Sequence, residues 1–454
     1  MKNLLKLGIS VCYIFVIFGL KHQGNIHDLG QGITGNTGEQ PNIILIMADD
    51  LGRECLSSYG SASYQTPNLD KLAEQGVRFE NMFSQPLCTP SRVKIMTGKY
   101  NYRNYTDFGY LNPEEKTFGN ILRDAGYQTM IAGKWQLNGI YRDKKQGWDN
   151  KNRPHHFGFD EYCLWQLTKS ASRGERYANP LIIQNGKQLP RDKDQYGPDV
   201  FCNYVLNFME RHINSKAPFF VYYPMVLPHN PFVPTPDSPE WSNSYNRYQK
   251  DTHFFKDMVA YTDKNVGRIM DKLEETGMDE NTLVIFTGDN GTNRKIVSTM
   301  NNGNNIKGMK GYMVDWGTRV PLIAYWKGHS QTGAVNTDLI EFSDVLPTLE
   351  DAAGIHTPAH KIVDGQSFLP QVLGDSVYPL SYVYMYYKPD WGGFDNGIFV
   401  RNKTYKLYVD GRFYNVDQDV QEKHPLSKAT LTREERNIRQ KLQNILDQKP
   451  TLAH

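Results

Sequence analysis

The stretch "TDKNVGRIMDKLEETGMDENTLVIFTGDNG", residues 262–291, contains a complete helix–stop–strand unit. Val266, Ile269, Met270 and Leu273 recur at the spacing that lines one face of an α-helix. Gly277 is the residue type that ends a helix, because it takes the left-handed conformation without a side-chain clash. The apolar run that follows then breaks off at Asp289-Asn290. A short continuous apolar run, rather than an alternating one, suits a strand buried on both faces, as in a parallel sheet.

The same order recurs on both sides of this unit. "PNIILIMADD" (41–50) places a six-residue apolar run, Ile43 to Ala48, directly before Asp49-Asp50. "TPNLDKLAEQGVRFENMF" (66–83) has Leu69, Leu72 and Ala73 at helical spacing, Gly76 as a stop, then a short strand. "EEKTFGNILRDAGYQTMIAGKW" (114–135) repeats the order with Gly126 as the stop, and "APFFVYYPMVLPHNPF" (217–232) is a strand running into a polar tip. Helices alternating with buried strands predict an α/β fold, a large and mostly parallel sheet flanked by helices. After about Pro370 the pattern changes. "YPLSYVYMYYKP" (378–389), "GIFVRNKTYKLYVDG" (397–411) and "RFYNV" (412–416) are short, alternating and aromatic-rich, which predicts an antiparallel sheet. "TREERNIRQKLQNILDQ" (432–448) reads as an amphipathic helix with Ile438, Leu442 and Ile445 inward. The expected organisation is therefore an N-terminal segment over 1–24, a Gly/Asn/Gln-rich linker over 25–40, an α/β domain over 41–372, and a smaller C-terminal subdomain, sheet plus helix, over 373–454.

The chain has 454 residues, 39% apolar and 22% charged, with a formal net charge of +2. These values belong to an ordinary globular protein of two or three domains and give no case for a nucleic-acid or anionic-membrane surface. Any affinity for anions must be local. Lys2 and Lys6 precede an uncharged, mostly apolar run from Leu7 to Leu20. That run has the length of a signal-peptide core and falls short of a membrane span. Export is expected, to the periplasm or the medium, with either cleavage near Lys21 to Gly24 or retention as an N-terminal anchor. Cys12 lies in this run, and the remaining cysteines, Cys55, Cys88, Cys163 and Cys202, are too few for a disulfide framework. If Cys88 is functional, at most one bridge can form among the other three.

In open α/β sheets ligands collect beyond the carboxyl ends of the strands. Those ends carry Asp49-Asp50, Lys134, His229 and Asp289-Asn290. Three carboxylates and an amide oxygen are hard donors suited to Ca²⁺ or Mg²⁺ rather than to zinc. "QPLCTPSRVKIMTGKY" (85–100) opens a helix at Cys88 with Pro90 in its first turn. The free N–H groups and dipole of such a helix start favour an anion, and Arg92, four residues on, adds a positive fork on the same face.

These motifs together resemble the type I sulfatases of the alkaline phosphatase superfamily. "CTPSRVKIMTG" (88–98) is similar to the family signature C-x-P-S-R-x-x-L-x-T-G, with Ile95 where leucine is usual. "NIILIMADDLG" (42–52), "TPNLDKLAEQGVRF" (66–79), "AGKW" (132–135), "LPHNPF" (227–232), "VIFTGDNG" (284–291) and "KGYMVDWGTRVPLI" (310–323) match further family blocks in the family's order. The resemblance implies an alkaline-phosphatase-like fold and hydrolysis of a sulfate ester. It implies that a maturing enzyme oxidises Cys88 to formylglycine, whose hydrate attacks sulfur while held by calcium through Asp49, Asp50, Asp289 and Asn290, with position 88 itself completing the metal shell. Arg92, Lys134 and Lys310 would neutralise the sulfate oxygens, and His229 would contact the scissile side and protonate the leaving alcohol. Arg319 is assigned to structure, and His155-His156, which match no block, to a loop.

Three departures from the family pattern bear on the site. Gln136 stands where many members carry a histidine that helps deprotonate the hydrate, and an amide cannot serve as a base at neutral pH. Asp315-Trp316 replace a common Glu-Gly at the site rim, and Arg53-Glu54 follow the metal pair where smaller or aromatic residues are usual. Gln136 and Arg53 are accordingly candidate substrate-binding residues. The aromatic run Tyr386 to Gly397 either stacks on sugar rings or is simply a hairpin of the C-terminal sheet. The expected substrate is a sulfated small molecule or glycan met outside the cytoplasm. Alternatives are a phosphonate or phosphodiester hydrolase of the same superfamily and an exported carbohydrate-binding protein with impaired catalysis. Oligomeric state has no signature in the sequence.

Overall fold

Residues Ile43 to Ala48 are all fully buried, and the reason is that each face of their strand meets its own apolar layer. Ile44, Ile46 and Ala48 face one core with Leu69, Leu72, Val266, Ile269 and Leu273, while Ile43, Leu45 and Met47 face a second with Val93, Phe118, Leu346 and Leu349. An alternating strand would have put polar groups into one of these layers. The unbroken apolar run follows directly from helices on both sides.

The computed structural model of the protein describes residues 40–139, 147–167, 175–355 and 362–452. The expected N-terminal segment and the linker, Gln40 apart, lie outside the described residues, as does Cys12. Among the described residues no helix is long and apolar enough to cross a membrane.

The strands are β1 (Asn42–Ala48), β2 (Val77–Phe83), β3 (Gln128–Lys134), β4 (Glu161–Trp165), β5 (Ile182–Gln184), β6 (Lys187–Gln188), β7 (Phe219–Pro224), β8 (Thr282–Gly288), β9 (Val297–Thr299), β10 (Asn305–Lys307), β11 (Arg319–Trp326), β12 (Ala334–Glu341), β13 (Val383–Tyr387), β14 (Gly397–Arg401), β15 (Tyr405–Tyr408) and β16 (Phe413–Asn415). A ten-stranded sheet runs in the order β12-β2-β11-β8-β1-β7-β3-β4-β5-β6, β9 and β10 form a ribbon, and β13 to β16 form a separate four-stranded sheet. The central order β8-β1-β7-β3-β4 is parallel throughout. β11 runs antiparallel between β8 and β2, and β5 and β6 add an antiparallel edge, so the sheet is mixed around a parallel centre.

The helix–stop–strand units fold as expected. The helix Phe254–Thr276 ends at Gly277 with φ 70°, and the helix Phe118–Asp124 is followed by Gly126 with φ 96°. Gly76 acts differently: its φ is ordinary, and a Cβ there would come within 2.3 Å of the Ala324 carbonyl oxygen of β11. Its small size, not left-handed freedom, is what the fold uses. His155 and His156 belong to a one-turn helix, Arg153–His156, rather than to a loop, and their ring nitrogens meet the backbone oxygens of Phe159 and Pro113. The C-terminal sheet is antiparallel, and the helix Arg433–Asp447 packs on it through buried Leu442 and Leu446, with Ile438 and Ile445 half-buried beside them. Cys55, Cys88, Cys163 and Cys202 are all buried and free.

Candidate active site

The two acidic pairs are brought together by strand register. β1 and β8 are parallel neighbours whose last paired residues are Ala48 and Gly288, so Asp49-Asp50 and Asp289-Asn290 leave the sheet side by side. The ladder continues one step further, with the Asp289 N–H donating to the Ala48 carbonyl at 2.9 Å and the Asp49 N–H to that of Leu227 at 2.8 Å. Gly288 is required by close approach, since a Cβ would lie 2.1 Å from the Leu51 carbonyl oxygen. Asp50 adopts φ 64°, a strained value for a residue other than glycine. It is held there by its N–H donating to Asp289 Oδ1 at 2.9 Å and by Asn290 Nδ2 donating to its Oδ1 at 2.8 Å.

Around this cluster stand the cations. Lys134, the last residue of β3, places Nζ 2.8 Å from both carboxylate oxygens of Asp49. Arg92, on the fully buried helix Cys88–Thr97, donates to Asp289 Oδ2 at 3.0 Å and to the Lys134 carbonyl at 3.2 Å, and lies 3.9 Å from Asp49. Lys310 Nζ is 2.6 Å from Asp50 Oδ2, and His229 Nε2 is 3.6 Å from the same oxygen. The titration behaviour follows from burial against charge. Burial alone would raise the Asp49 carboxyl, and Lys134 with its neighbouring cations holds it far below the usual carboxylate range instead. Asp289 is pushed up to about 7 by burial and by the adjacent Asp49 charge, which Arg92 only partly offsets. Burial pulls the His229 imidazole down to about 3 despite Asp50, so His229 is neutral at physiological pH.

The residues fit a hard divalent cation. Asn290 Oδ1 is buried without a hydrogen-bond partner, and three fully buried carboxylates share one point, one of them poorly able to keep its charge. Ligand atoms of Asp49, Asp50 and His229 all lie within 4.8 Å of one another, with Asp289 and Asn290 joined to them through Asp50. The Cys88 sulfur stands outside that set and lies 3.6 Å from Gln136 Oε1.

A cleft of about 350 Å³ opens over the cluster, and Cys88, Gln136, His229 and Lys310 line it. Trp391 and Phe394, from the loop between β13 and β14, form its far wall, so the aromatic run Tyr386 to Gly397 is both hairpin and cleft lining. Trp391 is stacked on Phe108 at 4.7 Å with the rings 3° from parallel. Arg53 does not line this cleft. It donates to the Glu80 carbonyl at 2.8 Å, pairs with the Glu80 carboxylate at 2.9 Å, and faces a different cavity beside Tyr59 and Trp316. Arg319 also ties to the Glu80 carbonyl at 2.8 Å, and Asp315, in the one-turn helix Asp315–Thr318 that leads into β11, pairs with Arg401 of β14. A cationic residue of the cleft was not singled out from the sequence. Arg176 lies 3.9 Å over the Trp165 ring, 3.7 Å from Asp49, with Nη1 buried and making no hydrogen bond. It stands in an irregular stretch without periodicity or motif, so only the fold could reveal it.

A sheet with a parallel centre, whose strand tips gather carboxylate and amide oxygens with one imidazole, ringed by Arg and Lys beside a cysteine at a helix start, is the arrangement of an anion-handling metal site. The comparisons with known proteins agree and are more specific. The family model described as Sulfatase matches residues 41–355, and the one described as N-sulphoglucosamine sulphohydrolase, C-terminal, matches residues 309–450. The chain belongs to the sulfatase family. It is 30% identical to arylsulfatase A of Homo sapiens over 81% of this chain and 74% of that protein. It is 29% identical to the N-acetylgalactosamine-6-sulfatase of Canis lupus familiaris over 74% of this chain, spanning 66%, about two thirds, of that enzyme. Among solved structures, Ps i-CgsB superposes with a TM-score of 0.72 at 24% identity, covering 90% of this chain and 92% of that one.

Proposed function

We propose that this protein is a sulfuric ester hydrolase that removes sulfate from a sulfated carbohydrate. The observation that carries the reading is the convergence of Cys88, Arg92, Lys134, His229 and Lys310 on the Asp49/Asp50/Asp289/Asn290 cluster at one end of the parallel sheet. Family membership and the name of the galactosamine-sulfate relative support the substrate class. We assign calcium to the cluster from its oxygen donors, and that ion would supply Lewis-acid polarisation of the ester's oxygens. We assign Cys88 as the residue that a maturing enzyme converts to formylglycine, which would supply the oxygen nucleophile.

The chain's own groups then have defined tasks. Arg92 and Lys134 sit fixed beneath the cleft and oppose the charge that grows on the sulfate oxygens, with no reorganisation at the moment of reaction. Lys310 adds a third cation from the rim. His229 is neutral, and its Nδ1 donates to the Asn230 carbonyl at 2.5 Å, so Nε2 faces the cluster without a proton; it accepts a hydrogen bond there, and the proton that the leaving alcohol takes up comes from solvent and not from His229. Gln136 orients the group at position 88 through its amide. The apolar stretch Leu7 to Leu20 supports action outside the cytoplasm.

The test is turnover of 4-nitrophenyl sulfate beside 4-nitrophenyl phosphate and its phosphodiester, by protein made in a host that matures sulfatases. Sulfate turnover that disappears in Cys88→Ala, with peptide mass spectrometry showing position 88 converted from cysteine to the aldehyde or its hydrate, supports the assignment. Preference for either phosphate ester, or full activity with only free thiol at Cys88, overturns it.

A further inference from the structure

The catalytic cleft does not end at Lys310. A second cavity of about 520 Å³ adjoins it and shares Asn230, Lys310 and Phe394 with it. The remaining wall of this second cavity is basic: Arg294, Lys295 and Lys307 are all exposed on it, and among the described residues no carboxylate lines it. None of these three cations has a carboxylate partner among the described residues. The chain as a whole carries a formal charge of only +2, so three unneutralised cations beside a fourth in one depression are a local concentration and not a general property of the surface.

The wall is held in shape. Arg294 donates to the Tyr312 hydroxyl at 2.9 Å, and its guanidinium lies 5.3 Å from the Tyr312 ring and 5.5 Å from the Phe394 ring, which meet edge to face at 5.9 Å. Lys295 N–H donates to Asn293 Oδ1 at 3.1 Å, Ile296 N–H to the Asn293 carbonyl at 3.0 Å, and Asn293 Nδ2 reaches Asn230 Oδ1 at 3.4 Å. Lys307 is paired with Val297 across the β9–β10 ribbon, and the Lys310 N–H donates to the Thr292 carbonyl at 3.0 Å. Gly311, with φ 91°, leaves the space that Phe394 occupies: a Cβ there would sit 2.1 Å from the ring. The Phe394 ring therefore stands at the junction of the two cavities, an apolar face between one cationic region and the next. An alternating arrangement of ring face and cation suits a sugar ring carrying an anionic substituent.

We propose that Arg294, Lys295 and Lys307 form a second anion subsite. It binds a sulfate or carboxylate on the sugar unit next to the one whose ester is cleaved, so the preferred substrate is a polyanionic di- or oligosaccharide and not a singly sulfated monosaccharide. The proposal rests on the sulfate-ester reading for the identity of the group in the first cavity. A nucleic acid or a lipid surface fits less well, because the subsite shares three lining residues with the catalytic cleft and lies where the same ligand would span both.

The test uses the full chain and two exposed-residue variants, Arg294→Ala/Lys295→Ala/Lys307→Ala and the milder Lys295→Gln/Lys307→Gln, which keeps the Arg294–Tyr312 contact; unchanged thermal melting confirms that each is folded. The probes are 4-nitrophenyl sulfate, a disulfated galactosamine disaccharide, and a monosulfated disaccharide bearing a uronate. The triple variant should lose about tenfold or more in kcat/KM on the disaccharides, mostly through KM and most strongly at low ionic strength, as expected for several screened contacts of a few-fold each. Turnover of 4-nitrophenyl sulfate should stay within about twofold, since that probe does not reach the subsite. Loss confined to the disulfated probe assigns the subsite to sulfate, and loss on both disaccharides to either anion. Calorimetric binding of the disulfated disaccharide supplies a readout independent of turnover. Equal binding by wild type and both variants, or an equal fall on all three probes, overturns the subsite. Failure of the wild type to hydrolyse any sulfate ester, with the binding difference intact, overturns the sulfatase reading and leaves the subsite standing.

Discussion

Lys134 and Asp49 form a fully buried ion pair in which one ammonium lies 2.8 Å from both oxygens of one carboxylate. Neither group reaches solvent, so each is the other's main compensation for leaving water. Removing the lysine strands a carboxylate that Arg92 at 3.9 Å and Arg176 at 3.7 Å compensate only in part. Lys134→Ala should lower stability in chelator by the lower end of the roughly 3–5 kcal/mol seen on breaking buried pairs. A divalent cation should restore part of that loss. Activity should fall about 100-fold or more, the scale of one lost electrostatic contact to developing charge. Thermal melts with and without cation, beside kcat on 4-nitrophenyl sulfate, check both statements; undiminished kcat would remove Lys134 from the site.

Cation removal should abolish turnover, and Ca²⁺ should restore it better than Zn²⁺, because the donors other than His229 are carboxylate and amide oxygens. A cation that binds only the folded protein also raises the melting temperature with concentration. Asp50→Ala should remove most of that calcium-dependent shift together with activity. Full activity after exhaustive chelation, with no melting shift on adding calcium, would refute the metal assignment.

Asp315 gives the pH dependence of the contact between the short helix before β11 and the C-terminal sheet. Burial alone would raise its carboxyl; Arg401, followed by Lys406 and Arg319, outweighs burial and holds it below the ordinary range. The folded value thus lies below that of the unfolded chain, about 3.9. Stability from this pair is present above that pH and is lost as pH falls through the folded value. Asp315→Asn should cost about 3 kcal/mol near neutrality by leaving the Arg401 guanidinium without its counter-charge. Urea unfolding of wild type and variant should converge as pH is lowered below the unfolded value and through the folded one; a gap independent of pH would show that the charge of Asp315 is not what matters.

The parts of the molecule legible in the sequence are those where one physical constraint acts along the chain. Ile43 to Ala48 had to be apolar at every position because both faces meet helices, and Asp49-Asp50 had to follow because polar groups are tolerated only at the tip. Direction leaves no such mark: the buried β11 reads like any central strand, yet runs against β8 and β2. Proximity along the chain also misleads. Arg53 follows Asp50 by three positions, but the backbone turns into a short 3₁₀ helix there and delivers the guanidinium to Glu80 on the other side. Arg176 shows the opposite case, a cleft residue whose partners Trp165 and Asp49 are distant in sequence.

Arg176 therefore yields a prediction of its own. Its guanidinium is fixed over Trp165 and its Nη1 lies buried at the cleft without a hydrogen bond, so a bound anion would satisfy it. Arg176→Ala should raise KM for sulfated substrates by about tenfold or more, the scale of one charge-assisted hydrogen bond, and change kcat less. Arg176→Lys should recover only part of the loss, because an ammonium cannot lie flat on the indole. An unchanged KM in both variants would leave Arg176 with a purely structural role against Asp49.

Gln136 is the departure from the family pattern closest to the reacting position. It adopts φ 56°, is buried, lines the cleft, and places Oε1 3.6 Å from the Cys88 sulfur. An amide there can accept from one partner and donate to another, whereas a neutral imidazole offers one donor and one acceptor at different positions. Two outcomes of Gln136→His separate the possible roles. If the missing base limits the second half of the reaction, histidine should speed turnover, and the wild type should show a burst of alcohol release followed by a slow phase. If the amide holds the group at position 88 and the substrate, the same change should lower kcat/KM by about tenfold or more, the cost of leaving a buried polar group poorly matched. We expect the second outcome, because the strained backbone at Gln136 is maintained in a site where the cations and acids are otherwise in place. Pre-steady-state release of 4-nitrophenol from 4-nitrophenyl sulfate by both proteins decides between them, and a wild-type burst relieved by histidine would show the expectation to be wrong.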